Sequence, residues 1–313
     1  MLSYYRGIPT ALIRGGDLDG QIIYLDTDAK KIEEVEKELD EEEERMSKKP
    51  KKKLGGMEAI IYKRIVNGEM EQPRNERQLE KAKKEIKKEL KSLIGRDLKL
   101  YDQGKFVPIP DLDGRINMFI PGPEGSGKSF LVELVAEQWL RMNENGEIFY
   151  FSEKKKDPLE ENPIDRLEEY MIRVPMDIET LKNFPIERLK NNLCIFDDID
   201  SYPKGKKGKL DIFDYIMKLI KYAIDIGRAD RINIITTSHV LFGGHDTRTQ
   251  ILGARQIAIF PTHSQLPHIN KYIKDYIGCD KITASKIKQS PRWLIHNIRV
   301  PKYVMNEKEL ILL

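Results

Sequence analysis

Three groups of residues carry the chemistry this chain is expected to perform. The first is Gly122-Pro123-Glu124-Gly125-Ser126-Gly127-Lys128-Ser129, with Phe130 next. Its spacing is that of a phosphate-binding loop, G-x-x-x-x-G-K-[ST]. Glycines let backbone N–H groups curl around phosphate oxygens, the lysine reaches the β- and γ-phosphates, and the serine hydroxyl sits on Mg²⁺. The second group is Asp197-Asp198, where four apolar residues, Leu193 to Phe196, run into two acids. Asp197 is the candidate Mg²⁺ partner, and Asp198 the candidate base that orients or deprotonates an attacking water. The third is Ser238-His239, the polar end of a strand that finishes in Thr236-Thr237-Ser238-His239. Either side chain can hydrogen-bond a γ-phosphate or its water, although His239 also reads as an ordinary surface or structural histidine. The cofactors implied are ATP and Mg²⁺.

Such groups work only if strands deliver them. Ile116 to Ile120 is an apolar strand leading into the glycine loop, and Phe130 to Met142 has helical spacing through Leu131, Leu134, Val135 and Trp139. Strand, loop and helix is the context that gives the motif meaning, because a helix N-terminus favours anions. Further strands are expected at Glu147–Ser152, Met171–Val174, Asn192–Asp198, Ile232–Thr237, Gln256–Phe260 and Trp293–Ile295. Ser152-Glu153-Lys154 falls at a C-terminal strand end, where open α/β sheets bind ligands. Helices are expected over Asp211–Ile226, His268–Ile277 and Thr283–Lys288. Strands that alternate with helices and end in chemistry predict an α/β, mostly parallel sheet flanked by helices. The strand between the two motifs, with a second acid beside the first, points to the additional-strand, RecA-like class of phosphate-loop NTPases.

The remainder bounds this reading. With 313 residues the chain can hold an ample α/β core plus an extension. No apolar run approaches about 20 residues, so no membrane span is expected, and the first residues lack a signal-peptide pattern. Cys194 and Cys279 suggest reduced thiols. A net charge of +3 neither demands nor excludes nucleic acid, so local clusters must decide.

Residues 1–105 read as an accessory region and 106–313 as the ATPase domain. Weak strands at Thr10–Ile13 and Gln21–Leu25 precede a charged stretch, Lys30 to Lys53, that suits a solvated helix, a linker or a phosphate-binding tail. A strand is expected at Ala59–Val66. Asn75 caps a helix carrying Leu79, Ala82, Ile86, Leu90 and Leu93, and Gly95 stops it. In the later part, Lys204-Gly205-Lys206-Lys207-Gly208-Lys209 is a basic loop, either merely solvated or a DNA contact. Arg228 and Arg231 open the strand that ends at His239, so they are surface charge or arginine fingers acting on a neighbouring subunit.

Taken as an ordered set, these motifs resemble the genome-packaging ATPases of nucleo-cytoplasmic large DNA viruses and virophages, within the FtsK–HerA superfamily. The resemblance runs from about Gly114-Arg115 to Tyr303. It uses the glycine loop, Leu193–Asp198, Gly227-Arg228 before Ile232–His239, Thr247-Arg248-Thr249 leading to Ile257–Pro261, and Ser290-Pro291-Arg292-Trp293. It implies a homo-oligomeric ring that hydrolyses ATP to drive double-stranded DNA into a preformed capsid. It also implies capsid or packaging-vertex proteins as partners, and the virion or the host cytoplasm as location. Arg228, Arg231, Arg248 and Arg255 are then rival candidates for a finger supplied in trans. Two departures stand out: Asp198 where the superfamily typically has Glu, and Ser238-His239 where it often has Gln. Other readings are a DNA-transfer ATPase of the same superfamily, a phosphate-loop kinase, and an assembly factor that binds ATP without hydrolysing it.

Overall fold

The computed structural model describes residues 1–26, 61, 65, 71–73, 75–110, 115–156, 162–202, 211–227 and 229–313. The charged stretch from Lys30 to Lys53, the lysine loop at 204–209 and Arg228 lie outside the described residues. Of the strand expected at 59–66 only Ile61 and Ile65 are described, and both are helical. A short apolar run does not separate the two periods, and isoleucines four apart share a helix face as readily as they fill a strand.

In chain order the first hundred residues form β1 (Leu2–Ser3), β2 (Ile8–Arg14), β3 (Ile22–Leu25), α1 (Glu76–Ser92), β4 (Leu93–Gly95) and β5 (Asp97–Lys99). The chain divides into a smaller unit, 1–8 with 23–98, and a larger one, 9–22 with 99–313. In the smaller unit β1 pairs antiparallel with both β3 and β4. The Asn75 side chain accepts from the Gln78 N–H at 2.9 Å, capping α1. Helix α1 stops before Leu93, which belongs to β4 and not to the helix stripe.

The larger unit continues with β6 (Lys105–Pro108), β7 (Asn117–Pro121), α2 (Lys128–Met142), β8 (Ile148–Phe151), β9 (Met171–Val174), α3 (Ile178–Lys182) and β10 (Leu193–Phe196). After these come α4 (Ile212–Asp225), β11 (Asn233–Ser238), α5 (His245–Gly253), β12 (Gln256–Ile259), α6 (Leu266–Tyr272), α7 (Lys281–Lys288), β13 (Leu294–Asn297), β14 (Tyr303–Met305) and β15 (Glu309–Leu312). A π-helical turn, Ile273–Ile277, extends α6 to the end expected from sequence. Strands β2 and β6 pair antiparallel.

The main sheet runs β15-β14-β13-β12-β7-β11-β10-β8-β9. The six strands from β12 to β9 pair in parallel, and β13 to β15 add antiparallel. Every residue of β7, β8, β10 and β11 is buried. Parallel strands covered on both faces tend to read as apolar runs, as β8 and β10 do throughout and β7 and β11 do in part. Phe149, Phe196, Phe213, Ile216 and Ile220 pack on one another beneath α4. Phe119, Ile251, Ile257, Ile269 and Tyr272 form a second cluster with α5 and α6. Helix α4 begins at a capping box in which the Asp211 and Asp214 side chains each accept from the other's backbone N–H. An N-cap of that kind contributes about 1 kcal/mol.

One feature of this order defines the class. Strand β11 lies between β7, which carries the glycine loop, and β10, which carries the two acids. A strand does separate the two motifs, but it comes later in the chain than either of them. Strands β8 and β9, which intervene in sequence, lie on the far side of β10. The order 5-1-4-3-2 over β12, β7, β11, β10 and β8 is that of an additional-strand, RecA-like phosphate-loop fold.

Candidate active site

Parallel strands bring the C-terminal tips of β7, β8, β10 and β11 to one edge, and all three chemical groups meet there. A cavity of about 620 Å³ opens at that edge. Its lining includes Pro123, Glu124, Gly125, Gly127, Lys128, Ser129 and Phe130 from the loop, and Ser152 and Lys154 from beyond β8. Asp197, Asp198 and His239 line it as well.

The loop adopts a shape that few other residues permit. Gly127 has φ 98°, in the left-handed region, and forms the N-cap of α2 with no side-chain hydrogen bond to the helix's first N–H groups. Those donors are left facing the cavity, a ready anion site. At Gly122 a Cβ would come within 2.6 Å of the Phe260 ring and 2.7 Å of Ser126 Oγ, so the close approach of β12 requires glycine. Lys128 Nζ donates to the Gly122 carbonyl at 2.7 Å, which folds the lysine back over its own loop. It also lies 3.4 Å from Asp198 Oδ1 and 3.4 Å from His239 Nδ1.

The acids are held by more than the strand. Asp197 Oδ1 accepts from Thr237 Oγ at 2.7 Å, and its Oδ2 accepts from the Tyr150 hydroxyl at 2.8 Å and from Lys154 Nζ at 2.9 Å. Burial, and then the Asp197 charge, push the Tyr150 phenol well above its usual pKa, so it remains a donor. Asp198 turns out of the strand at φ 44° and ψ 51°, and its N–H donates to Thr237 Oγ at 2.7 Å. Asp and Asn tolerate that left-handed conformation better than longer side chains do. Asp198 Oδ2 accepts from Lys154 at 2.6 Å and lies 3.7 Å from His239 Nε2. Burial pushes the Asp198 carboxyl up, but the Lys154 hydrogen bond and the charges of Lys128, Lys154 and His239 outweigh it and hold the carboxyl below its usual range. Asp198 is therefore a carboxylate at neutral pH. Lys154, despite partial burial, is pushed up to about 12 by Asp197 and Asp198.

Ser238 and His239 part company. The Ser238 side chain is fully buried, exchanges hydrogen bonds with the Val240 backbone at 3.0 and 3.2 Å, and does not line the cavity. Strand alternation turns the hydroxyl away, while its carbonyl accepts from the Gly122 N–H and ties β11 to the loop. His239 does face the cavity, and its backbone N–H donates to the Asp200 carboxylate at 2.9 Å. Arg231, at the start of β11, is exposed at the opposite end of the strand from the cavity, and Arg248 on α5 is also exposed. Arg255 is half-buried and donates from Nη1 to the Arg115 carbonyl at 3.4 Å. Other parts of the motif set make contacts of their own. Thr247 Oγ accepts from the Gly243 N–H, and Ser290 Oγ accepts from Asn306 Nδ2. Arg292 lies 5.2 Å over the Phe130 ring.

Three participants escaped the sequence reading: Thr237, Tyr150 and the contacts of Lys154. Thr237 was visible as a strand-tip residue, but only the parallel register of β10 and β11 shows that its hydroxyl braces both acids. Replacing Thr237 by valine keeps the shape and strips the brace. We expect a stability loss of about 1–3 kcal/mol, read as a lower urea midpoint, because Asp197 and the Asp198 N–H lose their buried partner.

The sheet order and the glycine loop define a RecA-like phosphate-loop fold. No family model matches the chain. Uncharacterized protein V3 of Sputnik virophage is 29% identical over 216 residues, spanning 68% of this chain and 83% of that protein. Among solved structures, the genome packaging NTPase B204 of Sulfolobus turreted icosahedral virus 2 in complex with ATP-gammaS superposes with a TM-score of 0.43 at 16% identity, over 62% of this chain and 98% of that one. The pCW3 conjugation coupling protein TcpA gives 0.37 at 14% identity, over 64% and 62%. A virophage protein thus stands among the sequence matches. Among the described residues no helix is long and apolar enough to cross a membrane.

Proposed function

We propose that this chain hydrolyses ATP with Mg²⁺ and couples hydrolysis to moving double-stranded DNA into a viral capsid, as one subunit of a homo-oligomeric ring. The observation that carries the ATPase part is the convergence of Lys128, Asp197, Asp198 and His239 on one cavity beneath an uncapped helix N-terminus. The loop residues 122–130 take the nucleotide, with Lys128 turning from the Gly122 carbonyl to the phosphates. Ser129 and Asp197 offer the hard oxygen donors that suit Mg²⁺. When bound, the ion neutralises charge developing on the phosphates. Asp198, ionised and 3.7 Å from His239, is the base that takes the water's proton, and His239 is the polar contact to the water or γ-phosphate. Ser238 contributes through the backbone link between β11 and the loop.

The DNA part rests on the ordered motif set, on a virophage protein sharing 29% of its residues over 216 positions, and on the lysine loop at 204–209. We assign 106–313 to the motor and 1–105 to an accessory region, with capsid or vertex proteins as docking partners in the virion or the cytoplasmic viral factory. Arg228 is our first choice for a finger completing a neighbour's site. By sequence it precedes the strand that ends at His239, and a strand of six residues spans about 20 Å, beyond an arginine's reach, so we read it as serving a neighbour. The test is ATP-fuelled displacement of a third strand from a DNA triplex. We expect displacement that ignores base sequence and weakens steeply with salt, and that Lys204, Lys206, Lys207 and Lys209 replaced by serine flatten the salt slope. ATP turnover without displacement would leave an assembly ATPase instead.

A further inference from the structure

Just beyond the tip of β8 lies a side chain whose ammonium stands between the two acids. Lys154 Nζ is 2.9 Å from Asp197 Oδ2 and 2.6 Å from Asp198 Oδ2, so one ammonium bridges both acids. Lys128 approaches only the other oxygen of Asp198, at 3.4 Å. Neither acid can be left buried and unmatched without a large cost. Asp197 and Asp198 are about nine-tenths buried, whereas the Lys154 side chain is 45% exposed. The cation is therefore the mobile partner. Its flexible stem can swing into the open cavity without disturbing the sheet, while Tyr150 and Thr237 keep Asp197 in place.

We infer that Lys154 is a placeholder cation: it bridges Asp197 and Asp198 in the metal-free protein and is exchanged for the divalent ion when the site loads. This rests on the reading of Asp197 as metal partner proposed above. Two cations cannot share Asp197 Oδ2 without strong repulsion, so metal entry and lysine departure are one event. The exchange also weakens the site's hold on metal alone without closing it. A divalent ion must outcompete a bonded ammonium, and the phosphates that accompany it give the released lysine a new anionic partner within the same cavity. Lys154 is thus a positioning residue for the acids, and a competitor of the metal.

The test uses the full chain and Mn²⁺ alone, with free Mn²⁺ followed by its paramagnetic resonance signal. Lys154→Gln is expected to bind Mn²⁺ about tenfold more tightly than the unmodified protein, an effect within the usual range for coupled binding events. Adding Asp197→Asn should remove the gain. A purely structural lysine gives the opposite result, because losing it would loosen the acids and leave Mn²⁺ affinity equal or weaker. A second measurement needs no variant. Acylation of lysines in the unmodified protein, mapped by mass spectrometry, should label Lys154 faster when Mn²⁺ is present, and equal labelling overturns the exchange. Since neither readout involves ATP, a protein that shows the exchange but never turns over ATP would sink the function proposed above and not this inference.

Discussion

Replacing Lys128 by alanine is expected to lower ATP turnover about 10³-fold or more, the scale on which preorganised charge at a transferring group acts. Lys128 starts α2, its ammonium is buried, and it is held between the Gly122 carbonyl and Asp198. His239 is 3.4 Å away but is anchored by Asp200 through its backbone, and Lys154 starts from beyond the tip of β8 and not from the helix N-terminus under the loop, so neither reproduces the position of Lys128. The fold should survive, since alanine is a good helix former at the first position of α2. Phosphate release and nucleotide affinity should both fall while the urea midpoint changes little. Turnover near the parent value in a well-folded variant would remove the glycine loop from the mechanism.

Asp198→Asn is the second large effect, and its value lies in how little else it disturbs. Asparagine tolerates the left-handed backbone at φ 44° as well as aspartate does. Its side-chain oxygen can still accept from Lys154. What it loses is the capacity to take a proton, and turnover should drop about 10²–10⁴-fold with nucleotide binding kept. Asp197→Asn should instead raise the Mg²⁺ requirement for binding. Because the folded-state pKa of Asp198 is depressed, its charge stabilises the fold fully above the ordinary aspartate range, near 3.9, and that contribution is lost as pH falls through the lower folded value. Acid unfolding of the Asp198→Asn variant should therefore begin less steeply than that of the parent. If the two asparagine phenotypes came out exchanged, the two roles are exchanged as well.

What could be read in advance follows from how each signal is written into the chain. The buried strands β8 and β10 are continuous apolar runs, and β7 and β11 carry apolar cores, so these four and the loop between β7 and α2 stood out. Their C-terminal ends bring the acids and His239 to one cavity. Side-chain direction at a strand tip is a different matter. Ser238 and His239 are adjacent, and only the pleat decides that the serine turns to Val240 while the histidine meets Asp198 and Lys128. Long-range braces were equally hidden, because Tyr150 and Thr237 reach Asp197 from strands on either side of β10. Short apolar runs misled most. Ile61 and Ile65 are helical where a strand was expected, and Leu93 pairs in β4 where a helix was expected. In those segments polar residues interleave with either period, and packing, not pattern, chooses between them.

The central claim is that a single site both hydrolyses ATP and answers to DNA. Phosphate release by the full chain in ATP and Mg²⁺, measured with and without double-stranded DNA of unrelated sequences, tests it most directly. The account predicts turnover that requires Mg²⁺ and that any such DNA stimulates, with both the basal and the stimulated rates abolished in Lys128→Ala. A basal rate that no DNA changes, in a preparation that binds ATP and is fully assembled, would contradict it.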